Sequence, residues 1–440
     1  MKIDNSSKDK PYIVYLMLNA FRSICNYALE AAIKESNLRG KPLMVVLRLP
    51  DTLETGYVRQ YSFLLEGIME LKENLAVRNI KLSIFTGGWE KLVKQLSELS
   101  EAIYYDKEYL NPGKSREKIL VNLCQSNIYS VENNVVVPVE VASDKEEYSA
   151  ATIRKKITRL LPEYTGELML ESLLGCSVTG PEVGLETLTD FTVADIIKLK
   201  NVSAEVKEVP GVHGGEEMAI ALFESFVSEK LWAYAEKRNI PGDDFQSGLS
   251  PYLHFGFISP VLIYRALHNY PGSNREAFLE ELIIRRELAF NFTYYNSDYD
   301  AIKCLPDWAR KSLEKHQKDL RPVVYEAMEL EKALSYDGYW NAAQRELVQS
   351  GRLHGYMRMY WGKKILEWSN TPEAGFELSV YLNNKYALDG FDPNSYAGIA
   401  WCYGKHDRPW RERSIFGTIR YMNDKGLERK FDMRGYLQSW

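Results

Sequence analysis

Short apolar runs and longer amphipathic stretches alternate along the first third of the chain. Pro11–Leu18 (PYIVYLML), Pro42–Leu49 (PLMVVLRL), Ile80–Phe85 (IKLSIF), Ala102–Tyr105 and Ile128–Val137 are rich in β-formers and read as strands. Between them, 22–37, 57–77, a stretch opened by Gly87-Gly88 and ending near Ser97, and 114–124 carry apolar residues at helical spacing, as 145–164 does after them. Such alternation predicts a parallel sheet with helices on both faces, whose ligands sit beyond the carboxyl ends of the strands. Gly87-Gly88 at a helix start can be an anion site or a tight turn, and no GxGxxG accompanies it.

The pattern changes twice. From 166 to 215 periodicity fades, Gly and Pro scatter, and the stretch closes on Pro210-Gly211-Val212-His213-Gly214-Gly215, an interdomain connection. Beyond it the spacing is helical over 216–237, 259–269, 275–292, 323–334, 340–350, 354–370 and 372–386, with few β-branched alternations. The chain is therefore divided into an α/β domain (1–165), a connection (166–215) and an all-α domain (216–440).

With 440 residues, 45% hydrophobic and 26% charged, the chain can bury two ordinary cores, which excludes a disordered or collagen-like protein. The net charge of −5 excludes a globally basic nucleic-acid binder, but residues 401–440 hold nine Lys/Arg against five Asp/Glu. That local surplus suits a confined polyanion site or a solvated face. Five dispersed cysteines without a CxxC spacing argue against a disulfide framework or a metal site. Together with the polar N-terminus they fit a cytoplasmic protein. No apolar run is long enough to span a membrane. Eight of the nine tryptophans follow residue 200, which directs attention to stacking or electron chemistry in the second domain.

Four segments carry the candidate chemistry. In Gln246-Ser247-Gly248-Leu249-Ser250-Pro251 small hydroxyl residues flank a glycine, suited to a diphosphate or to a helix cap at Ser250. In the segment from Gly351 to Trp368, Trp361 and Trp368 are seven apart and share one helix face, with Trp340 on the preceding helix. Tyr381–Trp401 holds a structured Asx/Gly/Pro loop running into a helix. Basic and aromatic residues interleave around Arg420, Arg429 and Lys430, suited to phosphate contact with stacking or to a solvated face.

Taken together, SGLSPYLHFG, IIRRELAFNF, LHGYMRMYWGKKILEW, LDGFDPNSYAGIAW and IFGTIRYMN resemble the class II cyclobutane pyrimidine dimer photolyases over nearly the whole chain. The resemblance implies the photolyase/cryptochrome fold: a Rossmann-like α/β antenna domain and an α-helical domain holding bent FAD. Reduced, anionic FAD would donate an electron on illumination to a dimer flipped out of DNA. Tyr234, Arg238, Ser247, Gly248, Leu249 and Ser250 would bind the cofactor, with Arg358 and Asp389 as a buried pair beside the ring and Asn383 near its N5. Ser395 holds the position that class I enzymes use for that purpose. Glu287 would meet the dimer's base edge, Met359 would pack on it and Trp401 would stack beneath it, with Phe290 or Asn291 opposite. Trp361, Trp340 and Trp368 would relay electrons from flavin to surface, and Arg420, Arg429, Lys430 and Trp401 would meet DNA. The resemblance further implies a monomer, nucleoid-associated in a prokaryote, without a metal, and a possible deazaflavin antenna. Leu18–Tyr27 departs from the Arg-Asp-rich segment that class II enzymes often carry there.

Overall fold

The computed structural model describes residues 9–50 and 56–440, and the backbone of 2–3. Five strands run parallel: β2 (Tyr12–Met17), β3 (Leu43–Arg48), β4 (Leu82–Phe85), β5 (Ser100–Asp106) and β6 (Asn127–Val131), with β1 (Lys2–Ile3) antiparallel on the β6 edge. The spatial order is β1-β6-β5-β2-β3-β4. The parallel series thus starts near the centre at β2, winds outward to β4, and returns across the centre to β5. Loops after β2 and β5 diverge at that reversal and open a crevice between them. Residues 13–17 of β2 are fully buried, as expected where helices cover both faces.

Helices α1 (Tyr27–Arg39), α2 (Val58–Val77), α3 (Trp89–Leu99), α4 (Asn111–Leu123) and α5 (Ala150–Tyr164) complete the domain. Helix α1 begins at residue 27, later than its apolar spacing suggests. Asn26 caps it by accepting from Leu29 N, and the buried Arg22 holds the preceding turn by donating to the carbonyls of Cys25, Asn133 and Gly256 and to Asn134 Oδ1. Strand β6 stops at Val131, short of the expected Val137, because the following backbone has other partners. Asn133 Oδ1 accepts from Tyr27 N at 2.8 Å, and Glu287 takes the N–H groups of Val136 and Val137. The 166–215 stretch is a strap on this domain: Ser177 bridges to Leu43, Leu188 to Ile84 and Ser203 to Tyr57.

The helical domain includes α6 (Glu216–Glu229), α7 (Arg286–Tyr295), α8 (Gly338–Ser350), α9 (Gly355–Trp368), α10 (Pro372–Tyr386) and α11 (Pro393–Cys402), with further helices such as Asp307–His316 between and after them. Their starts are locally encoded: Asp337, His354, Thr371 and Asp392 each accept a backbone N–H at the start of α8, α9, α10 and α11. The expected helix over 275–292 is interrupted. Ser273–Leu279 leads into a π-helical turn, Glu280–Arg285, before α7 resumes α geometry. A wider turn re-aims the side chains it carries, as π-turns do at functional sites.

The domains share an interface of backbone caps. Arg59 on α2 donates to the carbonyls of Tyr386 and Val348 at 2.7 Å each, and Gln60 to that of Ala387 at 2.8 Å. These are the carbonyls that α8 and α10 leave without intrahelical partners. Burial lowers the Arg59 guanidinium to about 10.

Candidate active site

In the helical domain a cavity of about 340 Å³ is lined by the turn before α7, the Gln246–His254 segment, α9 and the α10–α11 loop. Leu253, Phe278, Leu282 and Leu353 form apolar walls. Tyr234, Ser247, Ser250, Glu281, Arg286, Arg358, Asp389 and Ser395 supply the polar groups. Gly248 has φ +71°, and a Cβ there would stand 2.7 Å from Arg352 Nη1, so the bend between the two serines requires glycine. Leu249 points into the core, leaving Ser247 and Ser250 to face the cavity.

The expected Arg358–Asp389 ion pair does not form. Arg358 Nη1 donates instead to Asn383 Oδ1 at 2.7 Å, because α10 brings that carboxamide directly against α9. Asp389 sits in the loop beyond α10, where its Oδ1 is buried without a partner among the described residues, and Ser395 Oγ donates to the Asp389 carbonyl at 2.8 Å. The cavity therefore presents a guanidinium and an unsatisfied carboxylate oxygen as separate walls. A buried acceptor of this kind costs stability until something donates to it. A flat, polar-edged ring with a phosphate-bearing tail fits this set of donors, with the serines at the phosphate end. Among the described residues no group of three or more His, Cys, Asp or Glu could hold a metal ion.

Glu287 is not at this site. It lies on α7, is 2% exposed, and accepts from Val136 N at 2.5 Å and Val137 N at 3.3 Å, pinning the two domains together. Burial pushes its carboxyl up to about 8, against the pull of the Val136 N–H. The glutamate that lines the cavity is Glu281, one π-turn earlier, paired with Arg238 at 2.9 Å. Arg238 in turn lies over the Tyr234 ring at 5.6 Å. Burial acts to lower the Arg238 guanidinium, but the Glu281 carboxylate outweighs it and the net shift is upward. Burial pushes the Tyr234 phenol up to about 12. Glu287 was expected from the resemblance; the π geometry that brings Glu281 to the cavity has no signature in the apolar pattern.

Trp361 follows Arg358 by one turn of α9. Its ring is parallel to Trp340 (2°) at 6.5 Å, and Trp340 meets Trp368 edge-on at 5.5 Å. The three indoles are thus contiguous, but all are at most 1% exposed, so Trp368 does not bring the series to the surface as expected. Met359 packs against this aromatic core and does not line the cavity.

Trp401 is half-buried at the end of α11, and the group over its ring is Arg285 of the π-turn, 5.9 Å away. The two residues expected opposite it have other partners. Phe290 packs edge-on against Tyr109, and Asn291 bonds Lys145 O and Glu147 N. The chain after α11 forms an exposed loop in which Arg408 and Arg420 flank Trp410 at 5.6 and 5.1 Å. Arg429 and Lys430 lie apart, lining a depression with Tyr339 and Met433 that shares no residue with the cavity.

A second cavity, of about 450 Å³, occupies the crevice where the sheet order reverses. Leu18, Asn19 and Phe21 after β2 and Glu108–Pro112 after β5 form one side; His254, Phe391 and Tyr396 of the helical domain form the other. Asp106 organises the first side by accepting from the N–H groups of Leu18, Asn19 and Ala20 and from Tyr15 Oη. The departing segment Leu18–Tyr27 is thus a built wall of this crevice.

A parallel-sheet domain capped onto an all-α domain, with one cavity inside the second and another between the two, defines the photolyase/cryptochrome architecture. A cryptochrome from Synechocystis superposes with a TM-score of 0.77 (18% identity, 99% of this chain and 89% of that one). The archaeal photolyase from Sulfolobus tokodaii, solved with two FAD molecules, superposes at 0.71 (17% identity; 97% and 90%). Residues 13–173 match the DNA photolyase family model. Deoxyribodipyrimidine photo-lyases from Methanothermobacter thermautotrophicus and Arabidopsis thaliana are 42% and 38% identical, covering 99% and 97% of this chain and 97% and 88% of their own length. The chain belongs to the photolyase/cryptochrome family and is related to the deoxyribodipyrimidine photo-lyases.

Proposed function

We propose that this protein is a class II cyclobutane pyrimidine dimer photolyase, a carbon–carbon lyase that binds FAD in the helical-domain cavity and repairs dimers in DNA under light. The observation that carries this reading is the cavity itself: a buried Asp389 oxygen without a partner among the described residues, the Arg358–Asn383 pair, and Ser247 and Ser250 on its lining. Kinship over the full chain with proteins named as deoxyribodipyrimidine photo-lyases supports the reaction class. When bound, reduced flavin supplies the light-driven electron.

The chain's own residues set the geometry. Ser247 and Ser250, with the backbone bent at Gly248, hold the diphosphate, while Tyr234 and Arg238 flank it. Arg358 puts a fixed cation beside the ring, Asn383 orients that cation, and Asp389 accepts from the ring edge. Glu281 takes the place expected of Glu287 in lining the cavity, its position fixed by Arg238. Trp401 stacks on the extruded dimer, with Arg285 opposite, and stacking of this kind contributes roughly 1–3 kcal/mol per base. Arg420 and the Trp410 loop contact the phosphates near the lesion; Arg429 and Lys430 are outlying contacts. Trp361, Trp340 and Trp368 carry electrons inward to regenerate the reduced cofactor. The crevice between the domains is the place for a deazaflavin antenna.

The test is to mix reduced, FAD-loaded protein with an oligonucleotide carrying one thymine dimer, illuminate with blue light and follow the return of thymine absorbance. Light-dependent recovery with a dark control that binds without repair is the expected result. Binding without recovery would transfer the protein to the photoreceptor branch of the family.

A further inference from the structure

The three contiguous indoles end in a residue poorly suited to hold an oxidising equivalent. Trp368 is 0% exposed, and its Nε1–H is buried with no acceptor among the described residues. A tryptophan radical cation becomes a stable neutral radical by losing the proton on that nitrogen, and here no neighbouring group is placed to take it. The Lys364 ammonium lies 5.4 Å above the same ring and raises the energy of any positive charge placed on it. Glu367 and Asp337, at 2.8 and 3.8 Å from Lys364 Nζ, offset part of that field but offer nothing to the indole N–H.

Two tyrosines touch the outer side of Trp368. Tyr325 meets it edge-on at 5.3 Å and Tyr336 at 5.6 Å with an interplanar angle of 64°. Tyr325 is half-buried, and its hydroxyl accepts the Tyr336 backbone N–H at 2.9 Å, which fixes the Tyr336 backbone beside the relay. Tyr336 is 65% exposed, so its phenol can release a proton directly to water.

We propose that Tyr336 is the terminal electron donor of this chain, the exit that Trp368 does not provide. The proposal rests on the relay reading above, in which Trp361, Trp340 and Trp368 would in turn pass an electron inward to an oxidised flavin held in the cavity, leaving the vacancy on Trp368. At the last step one electron moves from Tyr336 to the Trp368 radical cation, restoring neutral Trp368. The Tyr336 O–H bond breaks, its proton goes to solvent, and a neutral tyrosyl radical remains. A thiol in the medium, itself oxidised, then returns the hydrogen atom to that radical. Proton loss at a solvent-facing phenol makes the transfer hard to reverse, whereas a hole left on Trp368 returns to the flavin.

The experiment is transient absorption and electron paramagnetic resonance on FAD-loaded protein under blue light, with thiol as reductant. The wild-type protein should show a neutral tyrosyl radical whose formation slows in D₂O. Tyr336→Phe, at an exposed position that leaves the fold intact, should abolish that signal and slow photoreduction several-fold. Tyr325→Phe should keep the signal, and chemically reduced Tyr336→Phe should repair at the wild-type rate. A tyrosyl radical that survives Tyr336→Phe and disappears in Tyr325→Phe, or photoreduction unchanged in Tyr336→Phe, overturns the proposal. Trp361→Phe separates the two levels. If it leaves photoreduction untouched, the relay reading itself has failed; if it blocks photoreduction while Tyr336→Phe does nothing, only the exit is wrong.

Discussion

The helical-domain cavity and the crevice at the sheet reversal are built on different principles. The one in the helical domain has walls from a single domain, and its polar groups stand on helices whose caps are local: His354 for α9, Thr371 for α10, Asp392 for α11. The crevice at the sheet reversal has walls from both domains and exists only while the interface is closed. Its integrity depends on residues that touch no ligand, chiefly Arg22, Asp106 and Glu287. A site of the first kind fails when a lining side chain is changed. A site of the second kind fails when the domains are loosened.

The largest effect separating the two is expected from Arg22→Ala. It removes a buried guanidinium with four hydrogen bonds across α1, the β6 turn and Gly256. Loss of a buried charge network of this kind costs on the order of 3–5 kcal/mol, here by stranding the acceptors it served. Urea denaturation should show this loss, and deazaflavin should no longer bind the crevice. Next comes Arg358→Ala, which touches only the helical cavity. FAD retention after gel filtration should fall by about a hundredfold in affinity, equivalent to roughly 2.7 kcal/mol. Deazaflavin binding to the crevice should be unchanged; parallel loss of both ligands would show that the cavities are not independent.

A smaller effect sharpens the role of Glu287. Its folded carboxyl titrates near 8, raised above its unfolded value by burial. The folded state therefore holds a proton that the unfolded chain has released, and the stability this confers is fully present at acid pH. It is lost as pH rises from the unfolded value toward 8, at up to about 1.4 kcal/mol per pH unit. Glu287→Gln should flatten that slope in denaturation curves collected between pH 5 and 8. Repair by the FAD-loaded variant should persist, whereas Glu281→Gln should reduce repair with little change in stability. If the reverse pattern is found, the two glutamates have been assigned the wrong way round. The smallest effects concern DNA. Arg420→Ala should reduce the salt dependence of binding by about one counterion, and Lys430→Ala, on the outlying depression, by less.

What was legible in the sequence follows the same division. Apolar periodicity located the strands and most long helices, with α10 matching its expected span from 372 to 386. Periodicity reports which residues are buried, and a parallel sheet under two helical layers is the simplest way to bury this set. The Ser247–Ser250 segment, Arg358, Asn383, Asp389 and Trp401 were singled out through a resemblance carried by contiguous motifs. Three things escaped. The π-turn at Glu280–Arg285 changes the ring size of backbone hydrogen bonds and leaves composition alone, so helical spacing read 275–292 as one unbroken helix. The partner of Arg358 is decided by how α9 and α10 pack, a distance no motif encodes. Arg22 and Asp106 act across sequence separations of 234 and 88 residues, to Gly256 and Leu18, beyond any local pattern.

The caps that Arg59 and Gln60 place on α8 and α10 bear on whether this protein is modular. A helix end completed by another domain is not a self-sufficient piece of secondary structure. A fragment spanning residues 216–440 alone would leave those carbonyls to water and expose the apolar surface that α2 covers. The strap at 166–215, hydrogen-bonded to the sheet edge, offers no slack at which to divide the chain. The two layers should therefore melt in one calorimetric transition, and exchange of either domain for a relative's should succeed only when α2 travels with the helices it caps.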